Sequence, residues 1–120
     1  MQTLNLTVRF VLELAALFAF GAWGFSAGEG ALRYVLAGLL PLVAAAAWGT
    51  FAVPGDRSRS GRAPVPIAGP LRLVLEAAFF GGALWATWRL GKVPHAMAGA
   101  GVLVVHYAVS RERVAWLLKR

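Results

Sequence analysis

Residues 6–25 read LTVRFVLELAALFAFGAWGF, a run in which only Arg9 and Glu13 are charged. At 1.5 Å per residue, a helix of this length is about 30 Å long, the thickness of the hydrocarbon core of a bilayer. A charge at the centre of such a span costs about 2.5–3.5 kcal/mol, so we expect both side chains to face other protein groups. The segment therefore predicts a transmembrane helix with an inward-facing Arg/Glu pair.

The composition of the whole chain agrees with a membrane protein. Its 120 residues are 59% hydrophobic and only 14% charged, whereas soluble domains are about 45–50% apolar. The formal net charge of +7 is typical of basic loops that face an anionic leaflet, and no polar domain suggests a nucleic-acid partner. The chain has no cysteine, which excludes disulfides, thiolate metal sites and cysteine nucleophiles.

Four segments are long and apolar enough to be helical spans of a single transmembrane domain. Short polar turns separate the first span from the second and the third from the fourth, whereas a loop rich in Pro, Gly, Ser and Arg lies between the second and third. The tail is expected to continue the last helix along the membrane surface, with its charges facing water. The predicted spans are about 6–25, 32–53, 71–90 and 94–110, with a loop at 54–69 and an amphipathic tail at 111–120.

The distribution of positive charge predicts the orientation of these spans. Nine of the 12 Lys and Arg residues lie near the N-terminus, in the long loop or in the tail. By the positive-inside rule, both termini and the loop are expected on the cytoplasmic side of a bacterial plasma membrane. The nine residues are Arg9, Arg57, Arg59, Arg62, Arg72, Arg111, Arg113, Lys119 and Arg120.

An internal repeat is suggested by two short segments. RFVLELA (9–15) and RLVLEAA (72–78) share five of seven residues at a constant offset of 63. Each half contains two spans, so the halves are expected to run in the same direction, related by a pseudo-two-fold axis along the membrane normal. The predicted fold is therefore an all-α, integral membrane four-helix bundle made of two tandem helical hairpins. Glycines within or near the spans, including Gly21, Gly24, Gly81 and Gly99, would allow close helix packing.

The repeat places two Arg/Glu pairs, each at i,i+4 spacing, near the cytoplasmic side. If the first and third helices touch, Glu13 can meet Arg72 while Glu76 meets Arg9, forming a net-neutral cluster. One interpretation is a structural clamp; another is a site where a glutamate exchanges protons or binds a cation, and lipid headgroup binding or charges that reach the interface separately are further alternatives. Residues expected nearby are Thr50, His106 and Tyr107.

No cofactor and no metal site is predicted. His95 and His106 lie 11 residues apart on one predicted helix, about 16 Å by helical rise, so they cannot share a metal. The sequence contains no glycine-rich phosphate loop, HExxH motif or Ser/His/Asp set.

Three motifs resemble those of the YrdB-like family of small bacterial membrane proteins, a family of unknown function predicted to have four spans. They are RFVLELA (9–15), WGTFAVP (48–54) and GPLRLVLEAAFF (69–80). The resemblance covers nearly the whole chain and implies a location in the bacterial plasma membrane, but no activity or site residues. Small multidrug resistance transporters are similar in plan only, because here the glutamate is duplicated and an arginine precedes each copy.

The first hypothesis for the function is a non-enzymatic accessory or scaffold component, with membrane lipids, other membrane subunits or copies of itself as partners. The alternative is a small proton- or cation-coupled transporter or channel that uses Glu13 and Glu76. A membrane enzyme acting on lipid is a third hypothesis, which would require polar groups around a deep apolar pocket.

Overall fold

The computed structural model describes residues 3–120, and its regular structure is helical except for one short parallel pairing. This confirms the predicted all-helical class. The helices are α1 (Thr3–Ala27), α2 (Ala31–Thr50), α3 (Gly69–Arg89), α4 (Val93–Val109) and α5 (Arg111–Leu118), and the strands are β1 (Phe51–Ala52) and β2 (Val65–Pro66).

Proline marks the start of two helices. Pro70 and Pro94 lie in the first turns of α3 and α4, where a missing backbone N–H leaves no hydrogen bond unmade. The second apolar segment was expected to stay helical to Val53, but α2 ends at Thr50 because Phe51 adopts an extended conformation. Phe51 and Ala52 then pair in parallel with Val65 and Pro66.

Helices α1 and α3 form the centre of the molecule. Helix α1 packs against α2 and α3, and α3 packs in turn against α4 and α5, whereas α2 and α3 contact each other little. Small side chains of α1 meet two phenylalanines of α3, so the two helices approach closely. The buried apolar core consists of Ala16, Ala19, Phe79, Phe80, Ala83 and Ala86.

Some of the glycines occupy sites of close helix contact. A Cβ added at Gly24 of α1 would lie 2.7 Å from the Leu36 carbonyl oxygen of α2, and one at Gly69 of α3 would overlap the Leu117 carbonyl of α5. By contrast, a Cβ at Gly81 would meet nothing within 4 Å among the described residues. The expectation of small-residue packing therefore holds at particular glycines and not at all of them.

The tail and the loop before α3 differ from their predictions. Helix α5 does not continue α4 but bends from it by 70° at Ser110. The bend directs Arg113 and Leu117 inward, where both are buried. The other charged residues of the tail, Arg111, Glu112, Lys119 and Arg120, are exposed as predicted. The loop, expected to lack regular structure, contributes β2 and buries Asp56 completely. Loop and tail together cover the end of the molecule where α1 and α3 begin.

Large apolar side chains cover much of the surface, and α2 has no buried residue at all. Within residues 3–120, α1 and α2 are long and apolar enough to cross a membrane, and a third span is counted if α4 and α5 form one bent segment. Helix α3, which carries Arg72, Glu76 and Arg89, does not qualify. Four membrane spans thus remain a prediction.

Candidate functional site

Glu76, in the second turn of α3, is the centre of a buried cluster of charges. Its side chain is only 1% exposed, and its Oε2 atom lies 3.0 Å from Arg9 Nη2 and 3.1 Å from Arg72 Nε. Arg113 of α5 donates to both carboxylate oxygens, at 3.0 Å and 2.6 Å. The Tyr107 hydroxyl of α4 donates to Oε1 at 2.5 Å. One carboxylate therefore joins side chains from α1, α3, α4 and α5.

Arg72 connects this carboxylate to the end of α2. Its Nε atom donates to Glu76, while Nη1 donates to the carbonyl oxygens of Trp48 at 2.8 Å and Phe51 at 2.6 Å. The last carbonyls of a helix have no partner within the helix, so the guanidinium supplies one. The same guanidinium lies over the Trp48 ring, 4.3 Å from its centroid. Arg72 thus fixes α2 relative to α3.

Glu13 is in a different environment from Glu76. Its side chain is 22% exposed, and its Oε1 atom lies 3.5 Å from Arg9 Nε on the same helix. The Trp48 indole donates to that oxygen at 3.0 Å. We predicted that Glu76 would meet Arg9 and Glu13 would meet Arg72. The first contact is present, whereas no Glu13–Arg72 ion pair forms among residues 3–120, because Arg72 instead contacts Glu76 and the end of α2.

A second acid–base pair lies next to Glu76. Arg113 donates from Nε to Asp56 Oδ1 at 2.9 Å and from Nη2 to Oδ2 at 2.6 Å, a two-point arrangement suited to guanidinium and carboxylate. The backbone N–H and hydroxyl of Ser58 also donate to Oδ1, each at 2.9 Å. Burial by itself raises the pKa of Asp56, but the hydrogen bonds and charge of Arg113 outweigh it and lower this pKa to about 2.

Asp56 and Arg113 were absent from the predicted site. Their separation of 57 residues gives no helical spacing to detect. One compositional signal was available, since Asp56 is the only acidic residue in a loop with three arginines. A lone carboxylate among guanidinium groups has a strong electrostatic reason to be paired.

Arg59 is a further arginine of the cluster that the sequence did not single out. It donates to the carbonyl oxygens of Trp48 at 3.0 Å and Gly49 at 2.8 Å, and so shares the end of α2 with Arg72. The guanidinium groups of Arg9, Arg72 and Arg113 are matched in number by the three carboxylates that they contact. Those carboxylates belong to Glu13, Asp56 and Glu76.

The predicted polar neighbours have different positions. Tyr107 contacts Glu76 directly, whereas His106 is 3% exposed and neither ring nitrogen has a hydrogen-bond partner among residues 3–120. Thr50 is half-buried, and its hydroxyl takes part in no hydrogen bond within the described part of the chain. Only one of the three is thus tied into the charge cluster.

The arrangement favours holding charges over moving protons. Three guanidinium groups and a phenol already surround Glu76, which leaves its carboxylate little access to an incoming ligand. Glu13 lies beside a small cavity of about 280 Å³, whereas Glu76 borders a larger, mostly apolar one of about 630 Å³ between α3, α4 and α5. In residues 3–120, no three His, Asp or Glu side chains are grouped so as to hold a metal ion.

Comparisons with known proteins agree with the resemblance noted from the motifs. Residues 7–105 match the profile of a family described as a protein of unknown function, DUF2568. The chain is also 37% identical over 116 residues to the uncharacterized protein YrdB of Bacillus subtilis (strain 168), covering 97% of this chain and 94% of the relative. No solved structure matches. The predicted similarity to YrdB is therefore confirmed.

Proposed function

Because the chain belongs to the DUF2568 family, whose description gives no function, we propose a role from its own geometry. The protein is a multi-pass, non-enzymatic component of the bacterial plasma membrane. It acts as an accessory or scaffold subunit, and the buried cluster around Glu76 is the clamp that holds its helices in register. The observation that carries the clamp is the saturation of one buried carboxylate by three arginines.

The surface supports a membrane location. Helix α2 is apolar over its length yet buries none of its residues, which in water would leave a large unfavourable apolar surface. Large apolar side chains are likewise exposed on the other long helices, as at Phe18 of α1 (79%), Val74 of α3 (64%) and Val104 of α4 (70%). In a bilayer these side chains would face lipid tails.

Four spans with cytoplasmic termini fit the positions of the charges. The cluster joins the first third of α1, the end of α2, the start of α3 and the end of α4, so it lies at one end of the molecule. The loop and the tail (111–120), which carry four of the six arginines outside the cluster, cover that same end. By the positive-inside rule this is the cytoplasmic end.

The central position of α1 and α3 supports the proposal of two tandem hairpins. These two helices carry the repeated R-x-x-x-E segments and pack against each other. The two glutamates have diverged in environment, since Glu76 contacts three arginines and Glu13 contacts one. A duplicated unit in which one copy became the clamp accounts for this difference.

The scaffold role is supported by glycines whose missing side chain would contact nothing in residues 3–120. A Cβ at Gly38 of α2, Gly81 of α3 or Gly101 of α4 would meet nothing within 4 Å among the described residues. Such positions allow a neighbouring helix to approach closely in a bilayer. A partner helix, from another subunit or a second copy, is therefore the proposed occupant of these faces.

A proton- or cation-coupled transporter is the second candidate, and one observation favours it. Glu13 is partly exposed and lines the cavity of about 280 Å³, so an ion could reach it without breaking the contacts of Glu76. The scaffold proposal is preferred because Arg9 and Trp48 already occupy one oxygen of Glu13.

The membrane orientation is tested with single cysteines, since the native chain has none. Ser26 and Ser60 are exposed, and they lie at opposite ends of the molecule according to the proposal. In intact cells, a membrane-impermeant maleimide should label S26C, whereas S60C should react only after the membrane is opened. Equal labelling of both variants in intact cells would contradict the orientation.

The choice between scaffold and transporter is tested in proteoliposomes that carry a pH gradient and a pH-sensitive dye. The wild-type protein and E13Q should dissipate the gradient no faster than empty vesicles do. E13Q should also keep nearly the wild-type Tm, whereas E76Q should lower it. Proton flux through the wild type that E13Q abolishes, with the fold intact, would establish the transporter instead.

A further inference from the structure

A small cavity lies where the first half of α1 meets the arginine-rich loop. It has a volume of about 280 Å³, and its lining combines three arginines and a serine with a single glutamate and two apolar side chains. The lining residues are Leu6, Arg9, Phe10, Glu13, Arg57, Ser58 and Arg59. This composition is unlike the charge-balanced cluster around Glu76, because here the cationic groups outnumber the acid.

The positive charge at this cavity is not neutralised within residues 3–120. Arg9, Arg72 and Arg113 are offset by three carboxylates, but Arg57 and Arg59 form no ion pair within the described part of the chain. Both of these arginines line the cavity. An anion with one or two negative charges would neutralise the positive charge of Arg57 and Arg59.

Hydrogen-bond donors are available for such an anion. Arg57 is exposed, and its side chain makes no hydrogen bond to any residue from 3 to 120. Arg59 uses its two terminal nitrogens on the end of α2, but its Nε atom is buried without an acceptor in the described residues. Arg9 is only 2% exposed. Its Nε and Nη2 atoms lie 3.5 Å and 3.0 Å from carboxylate oxygens of Glu13 and Glu76. None of its nitrogens, however, makes a hydrogen bond of good geometry within the described residues.

An apolar ridge leads away from the cavity along α1. Phe10, Leu14 and Phe18 are 58%, 50% and 79% exposed, and their i, i+4, i+8 spacing places them on one face of the helix. Phe10 belongs to both the ridge and the cavity lining. A ligand with an anionic head and a long apolar tail fits this combination better than a small soluble anion, which would leave the ridge unused.

We infer that the cavity binds the phosphate of an anionic phospholipid of the cytoplasmic leaflet. Arg57 and Arg59 contact the phosphate, and an acyl chain lies along the Phe10–Leu14–Phe18 ridge. Guanidinium groups suit this task because they present several donors to phosphate oxygens. The inference rests on the proposed membrane location. It does not depend on the scaffold role.

The test follows thermal unfolding of the purified full chain in an uncharged detergent with added lipid. A ligand that binds only the folded state raises Tm with concentration, which yields an apparent affinity. Phosphatidylglycerol should stabilise the wild type more than phosphatidylcholine does. R57Q, which removes an exposed side chain that makes no hydrogen bond or ion pair among residues 3–120, should weaken the apparent affinity for phosphatidylglycerol about fivefold. R59Q should do the same, provided that it folds.

R62Q is the matched control, because Arg62 carries the same charge in the same loop but does not line the cavity. It should bind phosphatidylglycerol as the wild type does. An equal loss of phosphatidylglycerol affinity in R62Q, or wild-type affinity in R57Q, would contradict the proposed binding site. Glycerol phosphate without acyl chains distinguishes a lipid from a free phosphate: equal stabilisation by this compound would overturn the lipid assignment. Failure of the membrane proposal would appear separately, in the cysteine labelling.

Discussion

Arg113 donates to both carboxylate oxygens of Glu76 across 37 residues of sequence, at 3.0 Å from Nη1 and 2.6 Å from Nη2. The same guanidinium also holds Asp56 of the loop. Helix α5 is therefore attached to α3 and to the loop by one side chain. A buried charge that has lost its partner is strongly destabilising. We therefore expect the burial of Arg113, Glu76 and Asp56 to be stable only when all three are present.

Replacement of Glu76 by glutamine should be the most damaging single change in the cluster. It leaves the guanidinium groups of Arg9, Arg72 and Arg113 without the carboxylate that they share. Removing one partner of a buried ion pair costs roughly 3–5 kcal/mol, so E76Q should lower Tm strongly in detergent. E13Q is the matched comparison and should cost about 1 kcal/mol or less, because Glu13 is partly exposed. Similar losses in the two variants would contradict the clamp.

Replacement of Arg72 by lysine should not preserve the link between α2 and α3. The guanidinium serves Glu76 and two carbonyl oxygens from two different nitrogens, and it also stacks on Trp48. A lysine ammonium is a single point and cannot reproduce this geometry. R72K should therefore lower Tm by nearly as much as R72Q. Arg62, exposed in the loop, provides the control, and R62K should leave Tm unchanged.

The features predicted from sequence are those with a local signature. Apolar runs and helix-starting prolines gave the helices, and the R-x-x-x-E repeat identified Arg9, Glu13, Arg72 and Glu76 as polar residues that the fold would bring together. Spacing along one helix fixes which residues share a face. It does not fix which arginine of another helix a carboxylate contacts. The predicted ion pair between Glu13 and Arg72 is therefore absent from residues 3–120.

The charged residues that α5 and the loop add to the cluster could not be predicted from spacing. Arg113 looked like a water-facing residue of an amphipathic tail, because its burial depends on the 70° bend at Ser110. Asp56 lies in a segment with no periodicity, and its partner is 57 residues away. Contacts at this separation follow from tertiary folding, so a single sequence does not reveal them.

Acid should weaken the attachment of the loop to α5. The Asp56 pKa is lowered from 3.8 to about 2, so its pairing stabilises the folded state fully above pH 4. That contribution is lost progressively as pH falls from about 4 through 2. In a series of Tm measurements over this window, the wild type should lose stability relative to D56N, which has no carboxylate to protonate. Parallel pH profiles would contradict the pairing. Above pH 4, D56N should be the less stable protein.

Replacement of Gly69 by alanine should detach α5 from the start of α3. The Cβ of an alanine would overlap the Leu117 carbonyl group, which is backbone and cannot rotate away. Helix α5 must then shift, exposing Leu117 and weakening the contacts of Arg113, so we expect G69A to lower Tm markedly. G49A in α2 is the matched comparison, because a Cβ at Gly49 meets nothing within 4 Å among the described residues. It should be neutral or slightly stabilising, since alanine favours helix by up to about 1 kcal/mol over glycine.

Limited trypsin digestion gives a second readout: cleavage after Arg113, which is buried in the native chain, should be faster in G69A than in G49A. Equal Tm values and equal digestion rates would show that α5 is not held by this contact.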